Sequence, residues 1–402
     1  MPFFSSFSGS FKPLQKLTQF SINLRHRIAN FDTSSQAVGD GDIDFTTGNG
    51  DTRVFIGQLR DFNNSGAIHE IDPENGTTSD RIRFLGAPNT REGWGVAYAG
   101  DKLLSGAPGS NNAEGRLVIY NGETLNFEDL KRSPFGTTDG AFYGWAVTSN
   151  RRPDLADMPI PWFAASAPKF NGGELVEVRS IDQTNNSEPL INEFVTPVDG
   201  NDFGKKIALV GETLYVAALG NNTVYVYDVR DSAAPTYSVT DNTPGFARGI
   251  FATVDKLFVS ASDKVFVYNS TTGNLLHTID DPLPNSDGTG TRFGYGGLPS
   301  QGISATDDLL LIGAPISKFA DGRAQGRVHI FDTNTYELLS TLENPNPINP
   351  SSGDATLGGQ FGNNVLINQD YIVITAKFNT QVDPPNTPSE FHGNAYIYNY
   401  SY

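Results

Sequence analysis

Apolar residues in this chain come in bursts of four to six, either alternating with polar residues or running together, and each burst is closed by glycine, proline, asparagine or aspartate. The spacing i, i+3, i+4, i+7 is rare, so the pattern predicts short strands and excludes a helical solenoid. The bursts also recur in a fixed order. The fullest copy reads Gly93-Trp94-Gly95-Val96-Ala97, then Gly100-Asp101-Lys102-Leu103-Leu104-Ser105-Gly106-Ala107-Pro108, then Gly115-Arg116-Leu117-Val118-Ile119-Tyr120. These are three strands. The same order returns from Gly144-Trp145, from Phe203-Gly204, from Gly249-Ile250, from Phe293-Gly294 and from Phe361-Gly362, and a weaker copy begins at Asp44-Phe45-Thr46. Most copies add a further extended run, such as Leu275 to Ile279 or Leu338 to Leu342.

Seven copies of four antiparallel strands predict an all-β fold, a seven-bladed β-propeller over residues 41–402. Short links such as Ala99-Gly100-Asp101 and Val210-Gly211-Glu212 suit tight hairpins between the first two strands. The last copy stops after its third strand, so its fourth must come from elsewhere. The segment near Thr18 to Arg27, where Phe20, Ile22 and Leu24 alternate with polar residues, is expected to close the ring beside Ala395 to Tyr398. The expected organisation is an N-terminal docking arm (1–17), a ring-closing strand and linker (18–40) and the propeller (41–402).

The motif order Phe-Gly, Gly-Ala-Pro and Gly-x-Val-x-Ile-Phe, as in Phe293-Gly294, Gly313-Ala314-Pro315 and Gly326 to Phe331, resembles the FG-GAP repeat family, found in integrin α-subunits and in bacterial and phage-associated surface proteins. The resemblance implies the fold and a binding habit. It does not imply calcium, because the family's acidic loop between the first two strands has no counterpart in links of two or three residues.

Charge and composition narrow the function. The net charge is −17 and no stretch is long and apolar enough for a membrane span, so nucleic-acid binding and membrane insertion are not expected. The N-terminus has no basic region followed by an apolar block, and does not read as an export signal. Without cysteine there is no disulfide, thiolate metal site or cysteine nucleophile. The five histidines fall in different repeats, and His69 and His329, beside apolar neighbours, read as structural. No nucleophile elbow or phosphate loop is present, so no catalytic residue, cofactor or enzyme activity is expected.

Asp40, Asp42 and Asp44 are the weak candidates for a cation, against a solvated turn; no metal is expected. Trp94, Trp145, Lys205, Ile250, Tyr295 and Asn363 follow the first-strand glycine in successive copies and are expected to line the central channel. The two tryptophans read as packing between blades, with a sugar platform as the alternative. Dissimilar polar insertions at Asn150 to Pro161, Asp281 to Thr291, Asn344 to Gly359 and Phe378 to Phe391 are candidate partner-reading loops.

Residues 1–35 stand apart, with a net charge of +3 against −20 for residues 36–402. Phe3, Phe4, Phe7 and Phe11 among serine and glycine read as a docking peptide, and Pro2 to Phe11 resembles short N-terminal segments of structural proteins in marine tailed phages. The expected function is therefore a non-enzymatic virion accessory protein (tail, fibre or capsid-decorating), assembled in the host cytoplasm, docking on other virion proteins by its arm and displaying the propeller toward protein or host surface. The alternatives are a cell-surface or extracellular glycan-binding lectin or adhesin and, less favoured, a propeller glycoside hydrolase.

Overall fold

The computed structural model describes residues 20–29, 41–46, 52–59, 64–78, 82–83, 87–134, 140–150, 161–168, 173–198, 200–231, 234–297, 299–347, 359–382 and 390–401. These form seven four-stranded antiparallel sheets, the blades of a β-propeller, with one helical turn at Ser110–Ala113 and one at Leu219–Asn221. We number the blades by their innermost strands in chain order: Ile43–Thr46, Val96–Ala99, Val147–Ser149, Phe203–Val210, Ile250–Ala252, Ile303–Ala305 and Phe361–Ile367.

Blades 1 to 6 are each built from four consecutive strands. Blade 7 takes three from the C-terminal region, and its outermost strand is Ser21–Ala29, antiparallel to Glu390–Ser401 with Leu24 opposite Tyr398 and Ile28 opposite Ala395. Third and fourth strands are joined by turns that start on a side-chain oxygen. Asp72, Asn121, Asp182, Asn269 and Asp332 each accept the backbone N–H groups two and three residues on, at 2.8–3.3 Å. Part of the negative charge is thus turn chemistry.

The core lies between blades. Each junction of the ring has its own buried apolar cluster, seven among the described residues. At the closing junction Ile28, Ala395, Ile397 and Val373 of blade 7 pack on Ile43, Phe45, Val54 and Ile56 of blade 1. The alternation that buries these residues is the alternation visible in the sequence.

Backbone approach between blades explains the glycine motifs. Gly106, on the second strand of blade 2, lies against the carbonyl of Gly144, which opens blade 3; a Cβ on Gly106 would sit 1.9 Å from that oxygen. Gly57 meets Gly93 and Gly313 meets Gly362 in the same way, at 1.9 and 2.2 Å. Gly144 itself has φ +82°, which a side chain would strain. The glycine of Gly-Ala-Pro and the glycine that opens the next blade are therefore two halves of one contact. Gly106→Ala is expected to destabilise the protein by about 1 to 3 kcal/mol through overpacking, whereas Ala217→Gly, at the same register in blade 4, costs about 1 kcal/mol or less. Thermal denaturation of the two variants checks this difference.

Candidate functional site: the central channel and its mouth

Inner strands surround the channel, and the register of each with its neighbour fixes which side chains share a level. Lys205 precedes Lys206, which pairs with Ala217. By the same count the mouth level holds Trp94 in blade 2, Trp145 in blade 3, Lys205 in blade 4 and Asn363 in blade 7. In blade 5 it is Arg248 that takes this position, since Ile250 pairs with Val259 as Ile207 pairs with Val216. The blade opens with Phe246-Ala247, and Ala247 adopts φ +67° where other blades use glycine, which hides the motif. Ile250 lies two residues deeper, on the wall of the channel cavity.

Blade 6 also departs from the expected start. Phe293-Gly294-Tyr295 does not open its inner strand, which begins at Ile303, because residues 296–301 are inserted between them. That insertion reaches across to other blades. Lys206 Nζ of blade 4 donates to the carbonyls of Pro299 and Ser300, the latter at 2.5 Å. From blade 7, Asn363 donates to Ser300 Oγ at 2.7 Å, and Asn364 Oδ1 accepts the Gln301 N–H at 2.6 Å. Asn363, expected on the channel wall, is buried in this contact.

Below the insertion is a cavity of about 130 Å³ with walls of Ile43, Val96, Val147, Ile207 and Ile250 and with Asp42, Asp44, Lys205 and Lys206 as its charged groups. This volume suits one small side chain or a few waters, not a polymer. Burial pushes Asp42 from its ordinary 3.8 up to about 7, against the attraction of Lys206. Burial likewise pushes Lys206 from 10.5 down to about 8, against Asp42. Asp44 is structural: its carboxylate accepts the N–H of Phe45 at 2.8 Å and of Tyr98 in blade 2 at 2.7 Å. Asp42 and Asp44, both half-buried, therefore do not lie on a solvated face, because they lead into an inner strand whose side chains point at the channel and the next blade. Asp40 and the arm residues Phe3, Phe4, Phe7 and Phe11 lie outside the described residues.

At the mouth, Trp94 and Trp145 pack on each other with ring centroids 4.6 Å apart and planes at 51°. Arg91 lies 5.3 Å from the Trp94 ring and Lys205 5.9 Å from the Trp145 ring. Phe142 meets Trp145 edge-on. Arg248 and Arg292 both approach Tyr295, at 5.7 and 6.0 Å from its centroid. The geometry follows from a recurring turn: Arg91, Phe142, Asp202, Arg292 and Gln360, each two residues before the opening glycine, have φ between +52° and +61°. That turn aims one extra side chain per blade at the rim.

Sequence reasoning placed Trp94, Trp145, Lys205 and Tyr295 as a set, and missed Arg91, Lys206, Arg248 and Arg292. The doublet Lys205-Lys206 was the available signal for Lys206, since neighbours on a strand point to opposite sides.

No protein-family model and no curated protein sequence matches the chain. Among solved structures it is similar to the β-propeller domain of Cps50 (Swd1) from Myceliophteria thermophila, with a TM-score of 0.57 at 12% identity, covering 94% of this chain and 99% of that one. At that identity the likeness concerns the fold alone.

The cavity charges carry a pH prediction. The folded protein keeps the Asp42 proton that the unfolded chain releases between pH 3.8 and about 7, so this group's contribution to stability falls as pH rises through that window. Asp42→Asn removes the fall, and its melting temperature relative to the parent protein is expected to climb from pH 5 to pH 7. A constant difference across those pH values contradicts it.

Proposed function

We propose that the protein is a non-enzymatic interaction protein of the FG-GAP type, a virion accessory component that docks through its N-terminal arm and displays the propeller. The observation that carries this reading is where the arm is attached. Ser21–Ala29 is the outermost strand of blade 7, so the phenylalanines at 3, 4, 7 and 11 precede a strand hydrogen-bonded into the periphery of the ring. Among the described residues, seven inter-blade clusters bury the apolar positions of the repeat. Burying one phenylalanine in a partner is worth roughly 1.5 to 3 kcal/mol, so four offset the ordering of a short peptide.

The chemistry of the channel supports a binding role over a catalytic one. Lys206 is committed to two carbonyls, and the cavity it shares with Asp42 is too small for a polysaccharide. The lectin alternative is weakened by the mouth, where the aromatic rings already carry the protein's own cations.

Deleting residues 2–12 is expected to leave the melting temperature within about 2 °C, since on this reading their phenylalanines are buried in a partner and not in the propeller, and to abolish copurification with assembled particles. Unfolding of the truncated protein, or incorporation at the full-length level, overturns the docking role.

A further inference from the structure

One place at the rim is charged against the rest of the molecule. Arg248 and Arg292 are both exposed, and their guanidinium carbons lie 5.7 and 6.0 Å from the centre of one tyrosine ring, Tyr295. Neither forms an ion pair with a carboxylate among the described residues, although acidic residues outnumber basic ones by 45 to 28. They border a pocket of about 210 Å³ between blades 5 and 6, with Ile316 on its wall. Its acidic member, Asp263, is turned to the backbone and accepts the Thr291 N–H at 2.7 Å.

Both arginines are held by backbone geometry. Arg248 follows Ala247, and Arg292 is itself the residue in the left-handed turn, with φ +61°. Two exposed guanidinium groups bordering one pocket give it a positive potential. A carboxylate in the pocket is attracted by that potential and accepts planar, two-pronged hydrogen bonds from a guanidinium group.

We propose that the Arg248–Arg292–Tyr295 pocket binds an acidic side chain of a partner protein, which specifies the chemistry of the surface displayed in the reading above and rests on that reading. A peptide fits better than an acidic sugar for two reasons. The Tyr295 ring already has two guanidinium groups within 6.0 Å of its centre, which compete with a sugar for its faces. Around the same mouth the packed rings of Trp145 and Trp94 lie between two cations, Lys205, which is ion-paired with Asp202, and Arg91, which suits an extended segment whose acidic residues are separated by apolar ones.

The test is fluorescence anisotropy of the full chain with a fluorescein-labelled peptide of alternating aspartate and leucine. The lysine–leucine peptide and a galacturonate oligosaccharide serve as competing probes. The acidic peptide is expected to bind and to weaken severalfold between about 50 and about 300 mM NaCl. Arg248→Gln with Arg292→Gln should weaken it about tenfold or more. The double lysine variant, which keeps the charge but not the fork, should lose less, and Arg230→Gln, at an arginine paired with Glu212, should change nothing. Equal binding of the lysine peptide, or affinity unchanged in the double glutamine variant, overturns the proposal. Preference for galacturonate overturns the protein partner. If this binding fails while incorporation still depends on residues 2–12, only the pocket is refuted; if incorporation ignores the arm while the pocket binds, only the docking reading is.

Discussion

The ring depends on one pairing, that of Ser21–Ala29 with the last strand of the chain. Seven blades bury their apolar residues only against each other, so an open ring would leave two blade faces and two strand edges in water. At the closing junction, Ile28 from the N-terminal strand joins the cluster shared by blades 7 and 1, so one strand seals both the sheet edge and the core behind it. Phe20, Ile22 and Tyr400 extend the neighbouring cluster between blades 6 and 7. Closure couples the two ends of the chain, and it also fixes where the arm leaves the ring.

Inside that ring, close contact at the paired glycines sets blade spacing, and the turn before each opening glycine sets the mouth. The backbone geometry repeats while the side chains it presents do not: arginine, phenylalanine, aspartate, arginine and glutamine occupy one turn position in blades 2, 3, 4, 6 and 7. A repeated scaffold thus delivers a non-repeated ring of groups. On this chain the ring is rich in cations and aromatic residues on a protein of net charge −17.

The fold was legible because glycines that must pack backbone to backbone leave a motif, and because strands with one buried face alternate. Phe20, Ile22 and Leu24 announced the closing strand in this way; Phe20 and Ile22 pack on the cluster, whereas Leu24 is 45% exposed beside a bulge that shifts the register before His26. Legibility failed where the physics was met without the motif. Ala247 adopts the left-handed conformation in place of glycine, so Arg248 was passed over for Ile250. The insertion at 296–301 has no counterpart in the other blades, so nothing in the repeat foretold that it would meet Lys206. Asp42 and Asp44 carry the signature of a solvated acidic turn, and only their place in the innermost strand turns them inward.

Ring closure is the claim on which the rest stands, and amide hydrogen exchange along the chain measures it directly. If the N-terminal strand closes the ring, the amides of residues 21–29 that face the last strand exchange as slowly as those of 393–401 and are released together with them as denaturant is added. Exchange of residues 21–29 at unprotected rates, with the seven blades still protected, would contradict the account.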